Sequence, residues 1–139
     1  MAITLRSAPV YVVDDDEAVR DSLQTLLDSE GIDACSFGSS AAALAAIEAT
    51  RPACLVLDLH LPGVSGLDLL RTLGARGLDV PVVMISGRID RGAHTRALAS
   101  GAAAVLRKPL DHAELVGAIR GVVSGIGSIP NCPSPGTRP

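Results

Sequence analysis

Short apolar runs alternate with helix-patterned segments along this chain, and the alternation repeats five times. The runs are Val10 to Val13, Asp33 to Phe37, Cys54 to Leu57, Val82 to Ile85 and Ala104 to Leu106. The first, third and fourth are apolar without interruption, the pattern of strands covered on both faces. Between the runs, apolar residues recur at a spacing near 3.6. Val19, Leu23, Leu26 and Leu27 form one stripe, ended by Gly31, and Leu44 and Ile47 lie in an Ala-rich stretch introduced by Ser39 and Ser40. Leu67, Leu70 and Leu73 form a third stripe, stopping around Gly74 to Gly77. Ala93, Ala97 and Leu98 give a thinner face over Arg91 to Ala99, and Leu115, Ile119 and Val122 follow Asp111, a suitable N-cap. Strands separated by helices pair in parallel through right-handed crossovers. The predicted fold is α/β, a (βα)5 doubly wound parallel sheet. In such sheets chemistry collects beyond the carboxyl ends of the strands.

The length, 139 residues, suits one domain. Hydrophobic residues make up 47% of it but aromatics only 1%, so the core must be built from Val, Ile, Leu and Ala. That favours helices on buried strands over a sandwich or barrel with an aromatic centre. A net charge of −3 offers no field to collect nucleic acid, and one Tyr with one Phe makes no base-stacking platform. Cys35, Cys54 and Cys132 share no CxxC spacing, which argues against a disulfide framework or zinc site; Cys35 and Cys54 read as small core residues. No apolar run reaches the roughly 18 residues of a membrane span, and the start lacks the long apolar stretch of a secretory signal. The expected setting is a reducing, cytoplasmic one. After Val123 the composition turns to Gly, Ser and Pro. Residues 1–8 are therefore read as an extension, 9–124 as the folded domain and 125–139 as a tail or linker stub.

Polar residues cluster where four of the predicted strands end: Asp14, Asp15, Asp16 and Glu17 after the first, Asp58-Leu59-His60-Leu61-Pro62-Gly63 after the third, Ser86-Gly87 after the fourth, and Arg107-Lys108-Pro109 after the fifth. Each has an ordinary structural reading on its own. An acidic run caps a helix, an Asp opens a turn, and a Lys-Pro pair makes a solvated corner. Parallel topology, however, brings all four to one edge of the sheet. Two or three carboxylates there repel one another unless a cation sits among them. Oxygen ligands with open positions suit Mg2+, which keeps waters or takes phosphate oxygens. A lysine ammonium and a serine hydroxyl beside them are partners for phosphoryl oxygens. Together they make a phosphoryl-transfer site.

The runs Tyr11 to Arg20, Leu55 to Gly63 with Gly66, Val82 to Gly87 and Leu106 to Pro109 closely resemble the receiver domains of bacterial two-component response regulators, nearest to the FixJ-type branch. The resemblance covers about residues 9 to 124. It implies a flavodoxin-like strand order 2-1-3-4-5. It implies that Asp58 is the phosphoacceptor, that Asp14 and Asp15 are the acidic pair at Mg2+, and that Asp58 and the backbone carbonyl of His60 complete the protein ligands. By the same resemblance Ser86 is the switch hydroxyl and Lys108 pairs with the phosphoryl group, usually followed by a cis peptide to proline. Asp16 and Glu17 remain structural. The chain departs from the family where Val105 replaces a usual Tyr or Phe and Leu110 a common Phe. His60 and Arg88 occupy positions that vary between members.

As a receiver, the chain is expected to accept a phosphoryl group from a sensor histidine kinase or phosphotransfer protein, to dephosphorylate itself, and to act on a downstream target or an output domain. It is expected to be a monomer or a weak dimer through the face of its fourth helix, fifth strand and fifth helix. No helix-turn-helix pattern follows residue 124, so direct DNA binding is not expected. Competing readings are a small Mg2+-dependent phosphatase, a flavin protein of the same fold, and a phosphorylation-independent interaction module. The first ordinarily needs a second Asp two residues after the nucleophile, where this chain has His60. The second needs a phosphate-cradling first loop, which Asp14 to Glu17 would oppose.

Overall fold

Five parallel strands form one sheet in the order β2-β1-β3-β4-β5, with β1 Val10–Val13, β2 Ala34–Phe37, β3 Cys54–Asp58, β4 Val82–Ser86 and β5 Ala104–Arg107. The computed structural model describes residues 8–61, 65–87 and 91–127. The helices α1 Glu17–Ser29, α2 Ser40–Ala49, α3 Gly66–Ala75, α4 Arg91–Ala99 and α5 His112–Gly127 alternate with the strands. Both the (βα)5 order and the expected 2-1-3-4-5 sheet are present.

Alternate residues of each strand enter different layers, because side chains on a strand point to opposite faces in turn. Tyr11, Val13, Leu55, Leu57, Val82 and Met84 pack with Ala43 and Ile47 of α2, Leu69, Leu70 and Leu73 of α3 and Ala97 of α4. Val10, Val12, Cys54, Val56, Val83 and Ile85 pack instead with Leu23 and Leu27 of α1 and Leu115 and Ile119 of α5. Every residue of β1, β3 and β4 is buried, as the uninterrupted apolar runs predict, whereas β2 and β5 are edge strands and only partly covered. The single Tyr and single Phe meet edge to face, with ring centroids 5.0 Å apart, and the Tyr11 hydroxyl donates to the Thr50 carbonyl at 3.1 Å.

The caps follow the sequence. Asp16, Ser39 and Ser65 accept backbone N–H bonds at the starts of α1, α2 and α3, and Asp111 accepts from Ala113 and Glu114 at the start of α5. Four expectations need correction. β2 begins at Ala34, although the Asp33 carbonyl still accepts from Val10. Cys35 is exposed, because it lies on an edge strand, while Cys54 is buried. Leu98 is 45% exposed and is not on the core face of α4. The fifth helix runs on to Gly127, past the change in composition, since isolated glycines weaken a helix without ending it. Residues 1–7, Pro62, Gly63, Arg88, Cys132 and the tail from Ser128, like the Ala93 side chain, lie outside what is described.

Candidate functional site

The carboxyl ends of β1, β3, β4 and β5 bring Asp14, Asp58, Ser86 and Lys108 to one edge of the sheet. β3 pairs Asp58 with Ile85, and β4 pairs Ser86 with Arg107, so each of these polar residues sits at the last rung of its ladder. Asp14, Asp58 and Ser86 are only 3%, 5% and 6% exposed. A buried carboxylate needs hydrogen bonds or a counter-charge, and both are present. Asp14 Oδ1 accepts the Asp16 N–H at 2.9 Å, and Asp58 Oδ1 accepts the His60 N–H at 2.9 Å. Lys108 Nζ lies 3.2 Å from Asp58 Oδ2 and 3.7 Å from Asp14 Oδ2.

Backbone bonds hold these groups in place. The Leu59 N–H donates to the Ile85 carbonyl at 2.8 Å, and the Lys108 N–H to the Ser86 carbonyl at 2.9 Å. The peptide bond between Lys108 and Pro109 is cis. Gly66 opens α3 directly against the phosphoacceptor candidate: a Cβ there would stand 2.3 Å from the Asp58 carbonyl oxygen and 2.9 Å from Leu59 Cα. Only glycine permits that approach.

Oxygens of Asp14, Asp15 and Asp58 all lie within 4.8 Å of one another, with Asp15 exposed at the mouth of the site. Burial pushes the Asp14 carboxyl above its ordinary pKa; the Asp16 N–H bond opposes this, the Asp58 charge adds to it, and Lys108 counters it. For Lys108, burial alone would lower the pKa, but the hydrogen bond and charge of Asp58 and the charge of Asp14 outweigh it, and the net direction is upward. The ammonium therefore stays charged. It offsets part of an acidic cluster whose all-oxygen donor set fits a small hard divalent cation that retains water. The His60 side chain is exposed; its N–H is the part of the residue that braces Asp58.

Pattern reading of the sequence did not single out Arg20 for any role. Its Nη1 donates to the Asp14 carbonyl at 2.7 Å, so it touches the acidic loop without touching a carboxylate in the described contacts. The available signal is its position, one turn into a helix whose cap is the acidic run itself.

The family model for the response regulator receiver domain matches residues 10–120. The chain belongs to that family. It is 43% identical over 114 residues to the transcriptional regulatory protein FixJ of Azorhizobium caulinodans, covering 82% of this chain and 54% of the relative. It is 38% identical over 112 residues to Nodulation protein W of Bradyrhizobium diazoefficiens, covering 81% and 49%. Among solved structures, FixJ-N superposes with a TM-score of 0.81 at 33% identity, over 86% of this chain and 95% of that one. The receiver domain of NtrX from Brucella abortus superposes with a TM-score of 0.77 at 31% identity, over 83% and 98%. The chain spans about half the length of the curated relatives it matches. It is thus a receiver domain of the two-component type, a signalling module. Receiver domains bind Mg2+ at an acidic pocket, and a pocket of that kind is present here. No helix among the described residues is long and apolar enough to cross a membrane.

Proposed function

We propose that this receiver domain is a phosphoacceptor switch, and that Asp58 takes the phosphoryl group. The observation that carries this is a buried carboxylate at a strand end, braced through one oxygen by the His60 N–H and facing a shared ammonium, Lys108, through the other. Asp14, Asp15, Asp58 and the His60 backbone carbonyl would hold Mg2+, which supplies positive charge between an incoming phosphoryl group and the acidic pair.

The donor is a phosphohistidine on a sensor histidine kinase or a phosphotransfer protein. The Asp58 carboxylate attacks phosphorus as a nucleophile, an O–P bond forms, and the P–N bond breaks with its electron pair returning to imidazole. Lys108 is already within reach of an Asp58 oxygen, and it moves its ion pair from the carboxylate to the phosphoryl oxygens. Ser86, buried at the adjacent strand end, donates its hydroxyl to a second phosphoryl oxygen. Water later hydrolyses the acyl phosphate and restores the carboxylate, so the only chemistry is the domain's own phosphorylation and dephosphorylation. The domain works in the cytoplasm, and its output passes to a downstream partner or an attached domain. A phosphatase reading is weaker because position 60 holds an exposed His where a second acid would be needed.

The test is incubation with Mg2+ and acetyl phosphate followed by intact-mass measurement. One phosphoryl adduct is expected on the wild type and none on Asp58→Asn. Equal labelling of both would remove Asp58 as the acceptor.

A further inference from the structure

Arg20 stands apart from the residues that carry charge toward the cluster. It sits on α1, it is half-buried, and its Nη1 donates to the main-chain carbonyl of Asp14 at 2.7 Å. The same guanidinium lies against Gly38, in the turn that leads from β2 into α2. The three nearest heavy atoms to a Cβ built on Gly38 are all in it, with Nη1 at 3.1 Å, Cζ at 3.5 Å and Nη2 at 3.8 Å. Gly38 does not have a left-handed backbone, so a side chain there meets no strain of its own. What it meets is Arg20.

With this bond, both backbone hydrogen-bonding groups of Asp14 are engaged, and one oxygen of its side chain is held as well. Its N–H donates to the Phe37 carbonyl at 3.2 Å, its carbonyl accepts from Arg20, and its Oδ1 accepts from Asp16. Its Oδ2 faces Lys108 at 3.7 Å. A loop that must hold two adjacent carboxylates beside a third gains from such pinning, because the carboxylates themselves push it apart.

We infer that Arg20 is a positioning residue for the acidic pair, and that Gly38 keeps open the seat its guanidinium occupies. This rests on the Mg2+ reading of the site. The sign of the effect separates positioning from simple charge. Removing a cation near a carboxylate cluster strengthens Mg2+ binding by Coulomb's law. Removing a brace weakens it, typically about tenfold or more for groups that orient metal ligands.

The test is Mg2+ titration by NMR or calorimetry on wild type, Arg20→Met, Arg20→Lys, Gly38→Ala, Gly38→Val and the Arg20→Met/Gly38→Val pair, with thermal unfolding to confirm that each is folded. Expected for Arg20→Met is binding weaker by about tenfold, with Lys recovering part of the loss. Gly38→Val is expected to weaken binding in the same direction and Gly38→Ala less so, since a single methyl displaces the guanidinium least. The double variant is expected to bind no worse than Arg20→Met alone, because both changes remove one contact. Labelling by acetyl phosphate is expected to return to within about twofold of wild type at saturating Mg2+, since no residue that touches the reacting atoms has changed. Unchanged or tighter Mg2+ binding in Arg20→Met would overturn the inference. So would multiplicative losses in the double variant, or labelling that stays slow at saturating Mg2+. A wild type that does not bind Mg2+ at all would instead overturn the reading of the site.

Discussion

Replacing Asp14 by asparagine is expected to make the metal-free protein more stable and the Mg2+-bound protein less so. Asp14 is 3% exposed, with Asp58 oxygens within 4.8 Å and Lys108 Nζ at 3.7 Å. At an effective dielectric of 20, repulsion at that separation from Asp58 is about 3.5 kcal/mol and attraction to Lys108 about 4.5 kcal/mol. These nearly cancel, so the cost of taking the carboxylate out of water decides the sign, in agreement with a pKa raised first of all by burial. Asparagine keeps an oxygen for the Asp16 N–H and carries no charge. The expected gain at pH 7 is about 1 kcal/mol, the common size of a single-site effect, or a rise in Tm of about 3–5 °C for a domain of this length. The gain depends on pH. A carboxyl whose folded-state pKa is raised loses stability as pH rises through that value, so the advantage of Asn is full at neutral pH. It shrinks as pH falls toward the ordinary carboxylate range near about 4. Mg2+ reverses the order: at a hundredfold excess over Kd the wild type gains about 2.7 kcal/mol, more than the variant's lead. Thermal unfolding of both proteins at pH 7 and pH 4.5, with and without Mg2+, measures all four corners. A variant less stable than wild type in the absence of metal, or stabilised equally by Mg2+, would refute the reasoning.

Three further substitutions probe neighbouring parts of the site. Gly66→Ala is expected to destabilise the fold by about 2–3 kcal/mol, the scale of overpacking, because its methyl would meet backbone atoms of Asp58 and Leu59 rather than the flexible end of a side chain; chemical denaturation reads the loss. Lys108→Ala and Ser86→Ala are expected to retain Mg2+ binding, tightened in the lysine variant by loss of a competing cation, while amide exchange around β4 and β5 responds weakly to a beryllofluoride phosphoryl mimic. Loss of metal binding in either would contradict their assignment to phosphoryl oxygens.

Most of the sheet is legible in the sequence because β1, β3 and β4 are buried on both faces and so read as unbroken apolar runs. The caps are legible because Asp16, Ser39 and Asp111 stand where the first helical N–H groups need acceptors. Edge strands and weak helices are harder. Cys35 has the composition of a core residue, but β2 has no neighbour on its outer side to cover it. Leu98 follows Ala97 directly, and a helix turns 100° between them, so one faces the core and the other solvent. The site residues can be read because parallel topology sends all strand ends to one edge. Arg20 escapes because its partner is a main-chain carbonyl, and no side-chain pattern announces that kind of contact.

The same backbone bonds that assemble the site also limit how it can report its state. Asp58 leads into Leu59, whose N–H is held by Ile85, and Ser86 holds the N–H of Lys108 through its own carbonyl. A phosphoryl group that draws the Ser86 hydroxyl toward it therefore pulls on a segment already tied to β5 and to the loop entering α5. Val105, half-buried in β5, packs against the cluster that contains Ala97 of α4. Being β-branched and short, it is stiff at χ1 and cannot sweep the volume that an aromatic ring would. Side-chain rotation at that place is thus a poor carrier of the signal. On the proposed reading of the site, the backbone bond from Lys108 to Ser86 is the connection through which a phosphoryl group on Asp58 would act on β5.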